Sequence, residues 1–280
     1  MSDRHSLIDT ITDSLVPVHK DGYKFIAIGA LVAFFLWLLL PVLGWIAALI
    51  TAWIVYFFRD PPRVTPLREG LVVSPADGRV SSLERVRPPA ELGLGEEERL
   101  RVSIFLSVFD VHINRSPVAG RISKSIYVPG AFLNAALDKA SEENERRSLV
   151  ITMAGGMQVA VVQIAGLIAR RIVTFSREGD TVGVGERFGL IRFGSRVDTY
   201  LPPGRGALVA VGQRAIGGET VLADLKSDEA EREASERQTH EGYHESAHYG
   251  WAGSGDGSRS RDELRALELH RGRGIADRQL

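Results

Sequence analysis

The sequence predicts a mainly β protein, a β-sandwich or partly open barrel with one or two helices, preceded by an N-terminal transmembrane helical hairpin. Three observations carry that expectation. An uncharged run extends from Phe25 to Phe58, rich in Leu, Ile, Ala, Phe and Trp. Between Pro61 and Leu225, short β-type runs are broken by Gly and Pro. From Lys226 onward the chain is charged, rich in Ser and Gly, and poor in large aliphatics. The implied divisions are a cytoplasmic segment at 1–24, a membrane hairpin at 25–58, a β domain at 61–225 and a polar, mainly disordered tail at 226–280.

The uncharged run holds 34 residues, which as one helix would measure about 51 Å against roughly 30 Å of hydrocarbon core. Its centre, Leu40-Pro41-Val42-Leu43-Gly44, carries both helix-breaking residue types. Two short spans folded back fit that length better than one overlong helix. A cleaved signal peptide would need a shorter apolar stretch and a small-residue cleavage site. Lys20 and Lys24 flank one end and Arg59 and Arg63 the other, so the positive-inside rule puts both ends in the cytoplasm, at the cell (inner) membrane. Arg59 and Arg63 read as membrane-edge anchors.

In the β region, strands are predicted at Leu71–Val73, Arg79–Leu83, Arg101–Val111, Arg121–Val128, Leu149–Met153 and Met157–Ile164. Gly155-Gly156 joins the last two as a two-residue hairpin turn. Further strands are expected at Ile172–Phe175, Thr181–Val184, Leu190–Phe193, Ala207–Val211 and Thr220–Ala223, with a helix from Ala131 to about Arg147.

Composition narrows the function. A formal net charge of -1 gives no electrostatic footing for nucleic acid as a partner. The absence of cysteine excludes disulfides, thiolate metal sites and cysteine nucleophiles. Of the 7 histidines, His112 alone falls in the β region, so imidazole proton transfer near neutral pH rests on it.

Three segments concentrate polar residues among apolar ones. Along Leu100–Arg115, one strand face would carry Val102, Ile104, Leu106 and Val108, then Asp110, His112 and Asn114. That face passes from aliphatic to ionisable if the register holds, and a bulge would spoil it. Val73-Ser74-Pro75-Ala76-Asp77-Gly78 is turn chemistry between two apolar runs. In Arg192-Phe193-Gly194-Ser195-Arg196, a strained Gly-Ser peptide could rearrange, because no side chain shields the Gly194 carbonyl from the Ser195 oxygen.

Together with Phe58-Arg59-Asp60-Pro61, Gly130-Ala131-Phe132, Asn144-Glu145-Arg146 and Gln163-Ile164-Ala165-Gly166, these segments resemble the phosphatidylserine decarboxylase proenzymes of the short bacterial type. The resemblance runs from about residue 20 to 225. It implies self-cleavage between Gly194 and Ser195, a pyruvoyl cofactor derived from Ser195 with no metal, and a mature heterodimer of chains 1–194 and 195–280. It also implies conversion of the membrane phospholipid phosphatidylserine to phosphatidylethanolamine and CO2 through a Schiff base. By matching position, Ser195 is the cleavage nucleophile and cofactor source, and Asp77 assists maturation. His112 acts near the substrate carboxylate and as proton donor or base. Arg192 and Arg196 flank the cleavage site and are candidates for binding the lipid phosphate or carboxylate.

One departure stands out. Longer members of that family carry Asp-x-His-x-x-His, whose second histidine activates the serine, and here Arg115 holds that position. Either His112 serves both maturation and catalysis, or Asp77 and backbone strain suffice. The double role of His112 is the favoured expectation.

Two other readings compete. Val209-Ala210-Val211-Gly212-Gln213 and Gly217-Gly218-Glu219-Thr220-Val221 resemble biotinyl- or lipoyl-type β domains, which suggests a membrane-tethered carrier. A carrier needs a lysine on an exposed hairpin tip, and the β region offers Lys124 and Lys139, neither in a suitable hairpin. A soluble pyruvoyl decarboxylase acting on a free amino acid would have no use for the hydrophobic run.

Overall fold

The protein is described by a computed structural model over residues 16–130, 144–166, 171–192, 195–227, 229 and 232. The predicted helix over 131–143, Lys139 and the predicted tail from 233 onward lie outside the described residues.

The uncharged run forms two helices, α1 (Tyr23–Leu39) and α2 (Pro41–Phe57), separated by Leu40 in an extended conformation. Pro41 opens α2, where its missing N–H has no partner to lose and its fixed φ suits the first turn. The helices lie antiparallel, with Gly22 against Phe58, Gly29 against Thr51 and Gly44 against Trp37. A Cβ at any of these glycines would collide with its neighbour, so small residues permit the close approach. Each helix has 17 residues, a length of about 26 Å. Leu38, Leu39, Val42, Trp45 and Leu49 remain exposed on the outside of the pair.

Strands follow at β1 (Leu71–Val73), β2 (Gly78–Val86), β3 (Arg99–Leu106), β4 (Ile113–Arg115), β5 (Gly120–Val128), β6 (Arg146–Thr152) and β7 (Gln158–Ala165). After them come β8 (Ile172–Thr174), β9 (Thr181–Val182), β10 (Arg187–Ile191), β11 (Ser195–Tyr200), β12 (Arg214–Ala215) and β13 (Val221–Asp224). The main sheet has the order β12-β2-β3-β11-β7-β6-β5-β9, a second is β4-β10-β8, and β1 pairs with β13. Every named pairing is antiparallel. The edge strands β9 and β12 are two residues each, leaving little open edge for unwanted pairing.

Strand β11 sits between β3 and β7 near the middle of the main sheet. Side-chain alternation puts Ser195, Val197 and Thr199 on one face and Arg196, Asp198 and Tyr200 on the other. The first face belongs to the principal core, with Val102, Ile104, Leu106, Val161, Ala165 and Val197. Phe188 and Ile191 of β10 bring the second sheet into the same core. The other face carries a smaller cluster around Leu92, Val150, Val162, Ile164 and Tyr200. Burying each such aliphatic side chain contributes about 1.5–3 kcal/mol.

A hairpin does form at Gly155-Gly156, with φ of 84° and 85°, values that favour glycine. Its loop is Ala154–Gly156 rather than two residues, closed by Met153 N–H donating to Met157 O at 2.8 Å. Four further expectations need correction. The single strand over Arg101–Val111 ends at Leu106, because Ser107–Asp110 forms a turn. There the Asp110 carboxylate accepts from both the Ser107 N–H and hydroxyl at 2.8 Å. Arg146 and Arg147, placed at the end of a helix, begin β6 instead. Ala207–Val211 is no strand, since the Gln213 side chain and backbone fold Ala210 into a turn. Arg63, read as a membrane-edge anchor, turns inward to Asp77.

Candidate active site

The turn-forming segment is locked locally. The Ser74 hydroxyl donates to Ala76 O at 2.6 Å, which directs Asp77 inward. Arg115 N–H donates to Pro75 O at 2.8 Å, so this turn and the end of β4 are adjacent. The Asp77 carboxylate accepts from Gly217 N–H at 3.0 Å and pairs with the Arg63 guanidinium. Burial pushes the Asp77 carboxyl above its usual range, opposed by Arg63 and by the Gly217 N–H.

His112 lies between the Ser107–Asp110 turn and β4 and has no exposed surface. Its Nδ1 is 2.9 Å from Asp110 O, and its own carbonyl accepts from Ile191 N–H at 3.3 Å. Its ring packs on that of Phe57 with centroids 4.1 Å apart. Burial pushes the imidazole down to about 4, so the ring is neutral at physiological pH. Asp77 and His112 share two charged neighbours, Asp110 and Arg59. Asp110 in turn receives Arg214 at 2.5 Å, and Arg59 donates to Phe109 O at 2.7 Å.

Ser195 opens β11, opposite Leu106 on β3 and Ala165 on β7, and is fully buried. Its Oγ has no hydrogen-bond partner among the described residues. It follows Ile191, the β10 residue bonded to His112 O, by four positions. Phe193 and Gly194 lie outside the described residues.

The two arginines flanking Phe193-Gly194-Ser195 differ. Arg196 is 3% exposed, bonded to Asp198 at 2.9 and 3.0 Å, and on the face opposite Ser195. Arg192 follows β10 at the foot of α1, with its guanidinium 5.2 Å from the Phe25 ring centroid. Arg115, at the position of the missing histidine, is buried and donates to Asp60 Oδ1, Pro61 O and Gly185 O at 3.1 Å each. Lys124 lies within β5, away from any hairpin tip.

Sequence reasoning missed three participants. Gln163 donates Nε2 to Asn114 Oδ1 at 2.7 Å between the two sheets, and both are fully buried. Its signal was a lone amide inside the aliphatic run Val159–Ala165. Arg63 neutralises Asp77, and Phe57 packs on His112. Nothing in a uniformly apolar segment marks one phenylalanine among several.

A mainly β scaffold that buries His112, Asp77 and a Ser195 hydroxyl with no hydrogen-bond partner among the described residues, with His112 against the last residue of an apolar helix pair, fits a class of enzyme that transfers protons away from bulk water. The comparisons with known proteins give that class its family. The family described as phosphatidylserine decarboxylase matches residues 50–223. A phosphatidylserine decarboxylase proenzyme of Xanthobacter autotrophicus is 59% identical over 224 residues, covering 80% of this chain and 96% of its own. A proenzyme of the same name from Cereibacter sphaeroides is 56% identical over 230 residues, 82% of this chain and 99% of its own. One from Ruegeria pomeroyi is 60% identical over 212 residues, 76% of this chain and 97% of its own. The chain belongs to the phosphatidylserine decarboxylase family, and is therefore a carboxy-lyase.

Proposed function

We propose that this chain is a proenzyme that cleaves itself between Gly194 and Ser195. Anchored at the cytoplasmic side of the cell (inner) membrane, it then converts phosphatidylserine to phosphatidylethanolamine and CO2. The observation that carries this reading is the Ser195 hydroxyl, wholly buried at the head of a central strand and unpartnered among the described residues. Leaving a buried hydroxyl unpaired costs about 1–3 kcal/mol, a cost that chemistry at that atom explains.

Ser195 Oγ adds to the Gly194 carbonyl carbon, and the acyl group passes from nitrogen to oxygen. Removal of the Ser195 α-proton expels the Gly194 carboxylate, which keeps the serine oxygen. Water then converts the remaining dehydroalanine to a pyruvoyl group and ammonia. The orphaned oxygen thus departs with residue 194, leaving chains 1–194 and 195–280, and its burial cost ends with maturation. When formed, the pyruvoyl group supplies a carbonyl for Schiff-base chemistry with the substrate amine and accepts the electron pair left by CO2.

The neutral His112 suits the proton transfers: it can take the Ser195 hydroxyl proton during cleavage and act beside the substrate carboxylate afterwards. Asp77, held by Arg63 and Gly217, assists maturation through the charges it shares with His112. Arg192, whose Nε is unpartnered among the described residues, is assigned to the lipid phosphate. Arg196 is engaged with Asp198 and supports a structural role instead. The helices α1 and α2 cross the bilayer as a hairpin, with Lys20, Lys24 and Arg59 at its cytoplasmic end.

Intact mass spectrometry of the membrane-extracted protein tests this. Scaling the 30.7 kDa chain by length, cleavage gives fragments of about 21 and about 9 kDa. The smaller has a blocked amino terminus and shifts in mass with hydroxylamine. Ser195→Ala stays at full length. A wild-type chain that remains whole, with a free serine at 195, overturns the reading.

A further inference from the structure

We propose that Phe57, the last residue of α2, is a positioning residue for His112: its ring shuts the imidazole off from water and fixes the plane in which it transfers protons. The membrane helix is then a working part of the site as well as an anchor. This rests on the decarboxylase reading given above and deepens it.

The two rings lie 4.1 Å apart at 34°, with 1% and 0% of their residues' surfaces exposed. Phe57 has little freedom to leave. Phe58 meets it edge-on at 5.1 Å and Trp53 lies at 5.7 Å. Phe57, Phe58, Val111, Ile113 and Leu190 form one buried cluster, which joins the helix end to both chain neighbours of His112 and to β10. The chain leaving α2 is pinned to the β domain at two further points, Arg59 to Phe109 O at 2.7 Å and Asp60 to Arg115 at 3.1 Å.

Among the described residues His112 also meets Asp110 O through Nδ1 and Ile191 N–H through its carbonyl. Among the described residues the charged groups that act on it are Asp110 on its own turn and Arg59 on the segment after α2. Their effects oppose each other, so dehydration dominates and holds the ring neutral. Phe57 stacks on one face of the imidazole, so its removal admits water to that face.

The test reads His112 directly, before any cofactor forms. In the uncleaved Ser195→Ala precursor in lipid nanodiscs, the imidazole nitrogen shifts of His112, assigned by their loss in His112→Gln, report its titration. With Phe57 intact the ring stays neutral down to about 4. Adding Phe57→Ala is expected to raise the midpoint by about one unit or more, toward the ordinary 6.5. Phe175→Leu, which disturbs the same junction at the residue stacked on His19, leaves it unmoved.

In the cleaved enzyme, Phe57→Ala moves the acidic limb of kcat upward by the same amount and lowers kcat, with KM nearly unchanged. If Phe57→Ala fails to fold, Phe57→Leu keeps most of the volume without the ring and is read the same way. A His112 midpoint and a kcat limb that both stay put overturn the positioning role, while wild-type cleavage and turnover leave the decarboxylase reading intact. A wild-type chain that neither cleaves nor turns over would overturn that reading instead.

Discussion

Gln163 of β7 donates to Asn114 of β4 across 2.7 Å, joining the main sheet to the three-stranded one through the space that Gly189 leaves open. A Cβ on Gly189 would stand 2.9 Å from Gln163 Nε2 and 2.8 Å from Val173 O, so the amide bridge requires glycine there. The bridge spans the two sheets that carry Ser195 and the strand next to His112, and fixes their separation.

Breaking this bridge on one side is expected to cost more than removing it. Asn114→Leu leaves the Gln163 amide buried and unpaired, a loss of about 1–3 kcal/mol in denaturant unfolding. Asn114→Leu combined with Gln163→Leu loses less than the sum of the single changes. Strict additivity would show that the two amides do not depend on one another.

His112 makes stability depend on pH with a known sign. Its folded pKa is lowered from 6.5 to about 4, so on acidification the unfolded chain takes up the proton first. Stability is full above about 6.5 and falls between there and about 4, by about 3 kcal/mol in all. His112→Gln flattens that slope in pH-dependent unfolding curves. His112→Ala is expected to accumulate as full-length precursor, and complete cleavage in that variant would remove the double role.

Arg63→Ala strands the Asp77 carboxylate, whose side chain is 7% exposed. The folded pKa of Asp77 is already raised by burial, and losing Arg63 raises it further. The unfolded chain then ionises before the folded one as pH rises, so stability is lost with rising pH across that window. The variant should be about 3–5 kcal/mol less stable at neutral pH, with much of the loss recovered in acid where the carboxyl is protonated. A loss that does not vary with pH would assign the effect to the arginine's packing alone.

Arg192 and Arg196 separate cleanly by kinetics. Arg192→Ala is expected to raise KM for phosphatidylserine about tenfold while keeping most of kcat, the loss of one charge-assisted contact. Asp198→Ala removes the carboxylate paired with the buried Arg196 and is expected to lower stability in denaturant unfolding without raising KM. If Arg192→Ala leaves KM unchanged, the lipid phosphate binds elsewhere.

The sequence by itself determined what local periodicity and turn chemistry encode. Thirty-four uncharged residues broken at Pro41 fit two short helices better than one overlong helix, and the Gly155-Gly156 dipeptide could close a hairpin because each glycine tolerates a positive φ. The Ser74–Gly78 turn was legible for the same reason, and His112 stood out as the one histidine of the β region.

Tertiary structure decided which of these residues meet. The end of β3 at Leu106 depends on Asp110 capping a turn, and the strand beginning at Ser195 exists because β3 and β7 flank it. Arg63 reaches Asp77, Gln163 reaches Asn114 and Phe57 reaches His112 only once distant strands and a helix end are packed together. A side chain's partner, burial and proton affinity are set by neighbours far away in the chain, and local pattern carries no record of them.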